Sequence, residues 1–349
     1  MKKKLNLFIR RVSVIINDEN RKSISRILKE SLHFWIVKKE IPYFYFGKFL
    51  YRKDVSNYKD YLSSKEVDKI TLSKKLHRIQ FSKLLRNKLS FALFMEENNF
   101  PVPQLVSYNH KNQFYLNSKP TKIDSEEKLL QFFESQFNLN EINGLFLKST
   151  TGMGGKGCFL INRNNLQNQV TKYYKEIVND DFVHQKIIVQ HPKINMIYQH
   201  SINTIRFTTY IDKNGEKHIL SAFMRFGSGG SFIDNSSAGG ICVSVDLKEG
   251  KLKGKSHQLM KHGGKQLIKH PDSNIIFNDF QIPYFEESKE LVLRAITLIP
   301  DRIIGWDIAI GKKGPILVEG NDNNSLITPD IIYGGYLKNP IFKEILEEA

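Results

Sequence analysis

Cysteine is scarce in this 349-residue chain, with only Cys158 and Cys242 present. The two lie far apart and outside any metal-ligand spacing. That excludes a cysteine-bound zinc module and gives no disulfide framework, so they read as buried thiols of a reducing compartment. Long apolar runs are also missing. No stretch approaches the roughly 20 residues that cross a bilayer, and no basic, apolar and cleavage-site pattern opens the chain. The expected location is a bacterial-type cytoplasm, with the inner face of the membrane as a second site of residence.

Acidic residues are in deficit: 36 Asp and Glu stand against 52 Lys and Arg, leaving a formal charge of +16. The excess is uneven, since residues 1–60 hold fifteen Lys or Arg and six Asp or Glu, a local +9. Such a balance favours polyanionic partners, whether nucleic acid, an anionic membrane face, or acidic polysaccharide and nucleotide ligands. A lysine-rich solvated surface gives the same count. No zinc-finger or RNA-recognition signature accompanies the charge, and no nucleic-acid partner is expected. Apolar residues make up 40% and charged residues 25%, as in a globular chain long enough for about two domains with a full core.

The most informative stretch is 304–321, Ile-Gly-Trp-Asp-Ile-Ala-Ile-Gly-Lys-Lys-Gly-Pro-Ile-Leu-Val-Glu-Gly-Asn. Two β-rich runs flank Lys312-Lys313-Gly314, which reads as a three-residue hairpin loop with glycine last. That loop pairs Gly311 with Pro315 and therefore Asp307 with Glu319, and Asn321 falls on the same strand face as Glu319. Two carboxylates and an amide oxygen converging from paired strands form a hard-oxygen set suited to Mg²⁺ with bound phosphates. An ordinary solvent-facing hairpin would carry the same residues.

Along the chain, residues 1–75 mix basic and aromatic residues, and helices are expected over 20–40 and 55–95. A helix over 76–97, containing Lys88, should end at the prolines of Asn99-Phe100-Pro101-Val102-Pro103. A short strand at 145–149 carries Lys148. It is followed by Gly152-Met153-Gly154-Gly155-Lys156-Gly157 and a second strand from Cys158 to Ile161. Four glycines between strands allow close backbone approach and direct amide N–H groups at phosphate oxygens. This is not a Walker A loop, because glycine and a strand follow Lys156 rather than Ser or Thr and a helix. A helix over 164–178 and a strand over 182–189 come next, the strand interrupted at Gln190-His191-Pro192. Arg206 and Arg225 sit among apolar neighbours in strands 205–211 and 218–226. Buried there, each needs an anionic partner, either a structural carboxylate or a ligand phosphate. The long segment Gly227-Ser228-Gly229-Gly230-Ser231-Phe232-Ile233-Asp234-Asn235, with Gly239-Gly240, reads as a ligand-contacting loop. A helix at 285–299 leads into the hairpin, a polar loop over 322–325 follows it, and a short helix is expected at 339–348.

In this order the pieces resemble an ATP-grasp enzyme. His191-Pro192, Ser201-Ile202-Asn203-Thr204-Ile205-Arg206, Asp234-Asn235 with Gly239-Gly240, and Gly305-Trp306-Asp307 resemble more narrowly the sugar-transfer-associated ATP-grasp group, which occurs with polysaccharide biosynthesis. The resemblance covers about residues 80–335 and implies an α/β (α+β) ATP-grasp fold in which two α+β lobes clamp ATP. Its implied divisions are a basic helical region at 1–75, a preceding segment at 76–140, a small lobe with the glycine-rich loop at 141–190, and a large lobe at 191–349. Lys88 and Lys148 would hold the ATP phosphates, and the loop from Gly152 to Gly157 (with Met153, Gly154, Gly155 and Lys156) would cover them. Gln185 stands where the family usually has glutamate near the adenine amine. Lys186 and Ile187 would offer backbone groups to adenine, with Gln190 or His191 near the ribose. Asp307, Glu319 and Asn321 match the magnesium positions, while Arg206, Arg225 and Lys148 would act on the transferred phosphoryl group. Ser228, Asp234, Asn235, Gly239, Gly240 and Asn323 are the substrate candidates.

The chemistry implied is an ADP-forming ligation through an acyl-phosphate, joining a carboxylate to an amine, with sugar and amino acid as expected substrates and ATP and Mg as cofactors. Contact of the basic N-terminus with a membrane or a lipid-linked glycan is a further expectation. Two alternatives stand beside this reading: an ATP-grasp kinase that stops at phosphorylation, and a basic module that binds polyanions or membrane through residues 1–75.

Overall fold

The computed structural model describes residues 2–117, 119–152, 154–155 and 157–349, with backbone alone for residues 2–8. Helices α1 (Lys2–Ile16), α2 (Ile24–Lys38), α3 (Tyr43–Gly47) and α4 (Ser64–Thr71) open the chain. Ser63 caps α4 in a capping box with Glu66, each side chain bonded to the other's backbone N–H. The expected single helix over 76–97 is two helices, α5 (Ile79–Arg86) and α6 (Lys88–Glu97). Asn87 makes the break. Its backbone is extended, and its side chain accepts from the Ser90 N–H at 2.9 Å, an arrangement that begins a new helix rather than continuing the old one.

A six-stranded antiparallel sheet follows, ordered β3-β2-β1-β6-β4-β5. Its strands are β1 (Leu105–His110), β2 (Gln113–Leu116), β3 (Lys119–Lys122), β4 (Gly144–Ser149), β5 (Cys158–Asn162) and β6 (Phe182–Lys186). Helices α7 (Glu126–Leu139) and α8 (Leu166–Ile177) cover one face, burying Phe132, Phe133, Phe137, Val170 and Ile177 against Leu145, Leu147 and Ile161. Strands from both sides of residue 140 therefore share one sheet. β6 stops at Lys186, three residues before the expected end. The chain then runs through α9 (Pro192–Ile197).

The larger sheet has seven antiparallel strands ordered β11-β10-β9-β8-β7-β12-β13. They are β7 (Thr204–Ile211), β8 (Lys217–Phe226), β9 (Ile241–Val245), β10 (Leu252–His257), β11 (Gln266–Leu267), β12 (Ile303–Gly311) and β13 (Gly314–Asn321). α10 (Phe285–Leu298) lays Leu291, Val292, Ala295 and Ile296 on one face, where Ile304, Trp306, Ile308 and Ile310 of β12 meet them. Strand alternation then turns Gly305, Asp307 and Ala309 to the opposite face. α5 and α6 add Leu85, Phe91 and Met95 to this core, although they precede the smaller sheet in sequence. α11 (Ile327–Tyr333) and α12 (Pro340–Glu348) close the chain. α3 is tied to α11 by an ion pair between Lys48 and Asp330, both side chains fully buried.

The β12–β13 hairpin differs from the expected register at its tip and agrees with it at the site. Gly311 pairs with Gly314, so the loop is the two residues Lys312 and Lys313. Left alone, that slip would turn Glu319 toward the core. A bulge corrects it: Ile308 opposes Leu317, and the next pair is Asp307 with Glu319, leaving Val318 as the extra residue.

Candidate active site

Three neighbouring strands carry a row of charge across one face of the larger sheet. Arg206 on β7 lies opposite Asp307 on β12, and Asp307 lies opposite Glu319 on β13. Arg206 grips Asp307 with two nitrogens, Nη2 donating to Oδ2 at 2.8 Å, and its Nη1 donates to Asn324 Oδ1 at 3.0 Å. Arg225 of β8 reaches the same Asp307 Oδ2 at 2.9 Å and Asp234 Oδ2 at 3.5 Å, and donates through Nε to Thr204 Oγ1 at 3.0 Å. Asp234 also accepts from the Thr204 N–H at 2.9 Å and hydroxyl at 2.6 Å. Burial by itself would raise the Asp307 carboxyl, but the two guanidinium groups overcome that and hold it at about 2. Burial raises Asp234 against the pull of Arg225. Two arginines thus face two aspartates in a locally neutral cluster.

The unbalanced positive charge lies one step away, where the two sheets approach. Lys148 of β4 stands opposite Cys158 of β5 and 5.7 Å from the centre of the Phe146 ring. Burial pushes its ammonium down, the nearby Glu319 carboxylate pulls it back up, and Lys88 adds repulsion. Lys88 begins α6. Its N–H is given to the Thr150 carbonyl, and its Nζ donates to the Gly152 carbonyl at 2.6 Å, so the helix start is pinned against the glycine-rich loop. Among the described residues Glu319 has no ion-pair partner. Lys88, Lys148, Gln185 and Glu319 line one cleft together with apolar Val102 and Leu317. The cleft holds about 10 Å³, room for a single water, so this arrangement is closed.

The glycine-rich loop leans on the loop between β8 and β9. Ser237 Oγ donates to the Gly154 carbonyl at 3.4 Å, and Phe146 and Phe232 meet edge to face at 6.5 Å. Met153 and Lys156 lie outside the described residues. Gly240 permits a tight crossing within the second loop, since a Cβ there would sit 2.1 Å from the Asp234 carbonyl oxygen.

The remaining expected residues are distributed differently. Lys186 gives its N–H to the Gln104 carbonyl at 2.9 Å, and both Lys186 and Ile187 are exposed. Gln190 is turned inward, donating to Asn195 and the Tyr198 carbonyl and accepting from the Asn203 N–H at 2.7 Å. His191 caps α9, accepting from the Lys193 N–H at 3.1 Å. Segment 189–191 is joined to the hairpin tip, the His191 N–H donating to the Ile310 carbonyl at 2.8 Å. Asp234 is held by Thr204 and Arg225, Asn235 caps the turn at Ser237, and the Gly239 carbonyl accepts from Gln258. Ser228 is half-buried and Asn323 exposed. The asparagine that enters the site is buried Asn324, bonded to both Arg206 and Thr208, with Gly305 leaving it room. Nothing in four successive polar residues separates it from Asn323.

Of the three hard-oxygen residues, Glu319 and Asn321 suit a divalent cation. Asn321 donates its amide nitrogen to the Gly305 carbonyl at 3.4 Å, which leaves its oxygen to accept. Asp307 is ionised but reaches a cation only by sharing oxygens already held by Arg206 and Arg225.

Residues 68–344 match the family described as sugar-transfer associated ATP-grasp. No curated protein matches the sequence. Among solved structures, the chain is similar to D-alanyl-alanine synthetase A from Vibrio cholerae, at 12% identity and a TM-score of 0.45 over 78% of this chain and 67% of that one. It is also similar to a D-alanine–D-alanine ligase from Bacillus anthracis, at 11% identity and a TM-score of 0.44 over 78% and 69%. A third is the ATP-grasp ligase PsnB with a peptide precursor variant, Mg and ADP, at 12% identity and a TM-score of 0.42 over 78% and 60%. For PsnB the chain spans less than two thirds of the relative's length.

Proposed function

The chain belongs to the sugar-transfer associated ATP-grasp family, and on that premise we propose that it is an ADP-forming ligase joining a carboxylate to an amine, one of them carried by a sugar of a cell-surface glycan or its precursor. The observation that supports this most is the convergence of Lys88, Lys148 and Glu319 on one cleft beside the glycine-rich loop. The two lysines supply the unbalanced positive charge that ATP phosphates require. Arg206 and Arg225, for which a structural carboxylate and a ligand phosphate were both open, pair with Asp307 and hold it opposite Glu319. The apolar lining of Val102 and Leu317 suits a planar base.

In the reaction, a substrate carboxylate oxygen attacks the γ-phosphorus as the bond to ADP breaks, giving an acyl-phosphate. The amine nitrogen then attacks the acyl carbon, phosphate leaves, and the nitrogen loses a proton. Lys148 and Lys88 hold the charge that moves from the γ-phosphoryl group to ADP. A magnesium ion held by Glu319 and Asn321, and shared with Asp307, would neutralise further phosphate charge. A cleft widened only enough to take the nucleotide would keep bulk water from the acyl-phosphate, which it would otherwise hydrolyse. Because the cleft has room for only a single water, nucleotide entry requires it to widen.

Titration calorimetry with ATP and magnesium tests the assignment. Lys148→Ala and Glu319→Gln should each weaken binding at least about tenfold, the loss of one charge-assisted contact. Unchanged affinity in both folded variants would contradict it.

A further inference from the structure

Helix α2 has two apolar sides, and the fold covers only one. Ile27 and Phe34 are buried with Tyr45 and Tyr51. Ile24, Leu28, Leu32, Trp35 and Ile36 follow the spacing of a second helix side, and each is more than half exposed. Ile41, at 77% exposure, and Tyr43 continue this surface beyond the helix. Single exposed apolar residues are ordinary, but a stripe along a whole helix face marks a surface that meets a partner.

The charges around the stripe identify the partner. Acidic groups of this segment are withdrawn: Glu30 is bonded to Lys22 at 2.6 Å, and Glu40 accepts from the Ser64 and Lys65 N–H groups. Lys29, Lys39 and Arg10 remain exposed, and the Arg11 guanidinium sits 5.1 Å over the Tyr43 ring. A second copy of the chain would set one +9 region against another. Trp35 and Tyr43 have apolar rings with a polar edge, the type that settles at a headgroup layer. No described helix is long and apolar enough to cross a membrane.

We propose that the exposed side of α2, with Ile41 and Tyr43, rests on an anionic phospholipid surface, the apolar side chains entering the headgroup boundary while the flanking lysines and arginines meet lipid phosphates. The contact is peripheral and independent of the ATP chemistry, so either can fail without the other.

Cosedimentation of the full chain with vesicles tests it, using phosphatidylcholine alone or with one third phosphatidylglycerol. Binding to the anionic vesicles should exceed binding to neutral ones at least about tenfold and fall steeply with salt. The double substitution Leu32→Asp with Trp35→Asp should abolish it, and Lys29→Glu with Lys39→Glu should weaken it. Both variants should keep the parent thermal midpoint, since all four side chains face water; if the first fails to fold, the charge pair carries the test. Absence of binding to anionic vesicles, equal binding to neutral ones, or undiminished binding by folded variants would overturn the proposal. So would a dimer, seen by sedimentation equilibrium, that Leu32→Asp dissociates while vesicles go unbound.

Discussion

Asp307 answers to two guanidinium groups at once, and that sets what its loss should do. Asp307→Asn leaves Arg206 and Arg225 buried with one fewer anion, which should cost about 3–5 kcal/mol in chemical denaturation at neutral pH. The folded carboxyl, at about 2, lies below its ordinary value of 3.8, so its contribution is complete above pH 4. It is lost as pH falls from about 4 to about 2, because the unfolded chain takes up the proton first. The gap between parent and variant should therefore narrow across that window; a gap independent of pH would contradict the ion-pair account. That two buried arginines needed anionic partners was legible in the sequence. Which anion they take was not, because the shared Asp307 lies 101 residues from Arg206 and on a strand whose neighbours the sequence does not specify.

At the scale of elements, the hairpin holds the lesson about register. The pairing of Asp307 with Glu319 was legible from alternation, but its route was not: the strands close over two residues and recover the count at Val318. Deleting Val318 brings Glu319 directly after Leu317 and still opposite Asp307, so turnover should survive. Inserting one alanine between Val318 and Glu319 turns the carboxylate toward Trp306 and should lower turnover about 100-fold or more. Comparable rates in the two variants would contradict the register. Other boundaries escaped for local reasons. Asn87 is a cap that reads as an ordinary helical residue, and β6 ends where the chain leaves one sheet for the other. The edge strand β3, Lys-Pro-Thr-Lys, is exposed throughout and has no apolar period to betray it.

The whole molecule is two antiparallel sheets meeting at one cleft, with the N-terminal helices fixed to the larger half through Lys48 and Asp330. Burial raises the Asp330 carboxyl and lowers the Lys48 ammonium, and each group offsets the other's penalty. Lys48→Met should leave Asp330 buried and unpaired, lowering stability by about 3–5 kcal/mol in urea unfolding. An unchanged midpoint would mean that α3 is held by its apolar contacts alone. The overall plan was legible from the order of lysines, glycines and acids along the chain. The attachment of residues 1–75 was not, since it is made between residues far apart in sequence, the Lys48–Asp330 pair being 282 apart and Leu62 and Ile70 packing on Tyr336 and Phe342.

The central claim is tested most directly by ADP release with magnesium against amino acids and uronic-acid sugars, offered singly and in pairs, with the products weighed. Ligation predicts ADP only with a pair and a product lighter than that pair by one water. ADP from a single sugar, with a product heavier by one phosphate, would contradict ligation and make the protein a kinase.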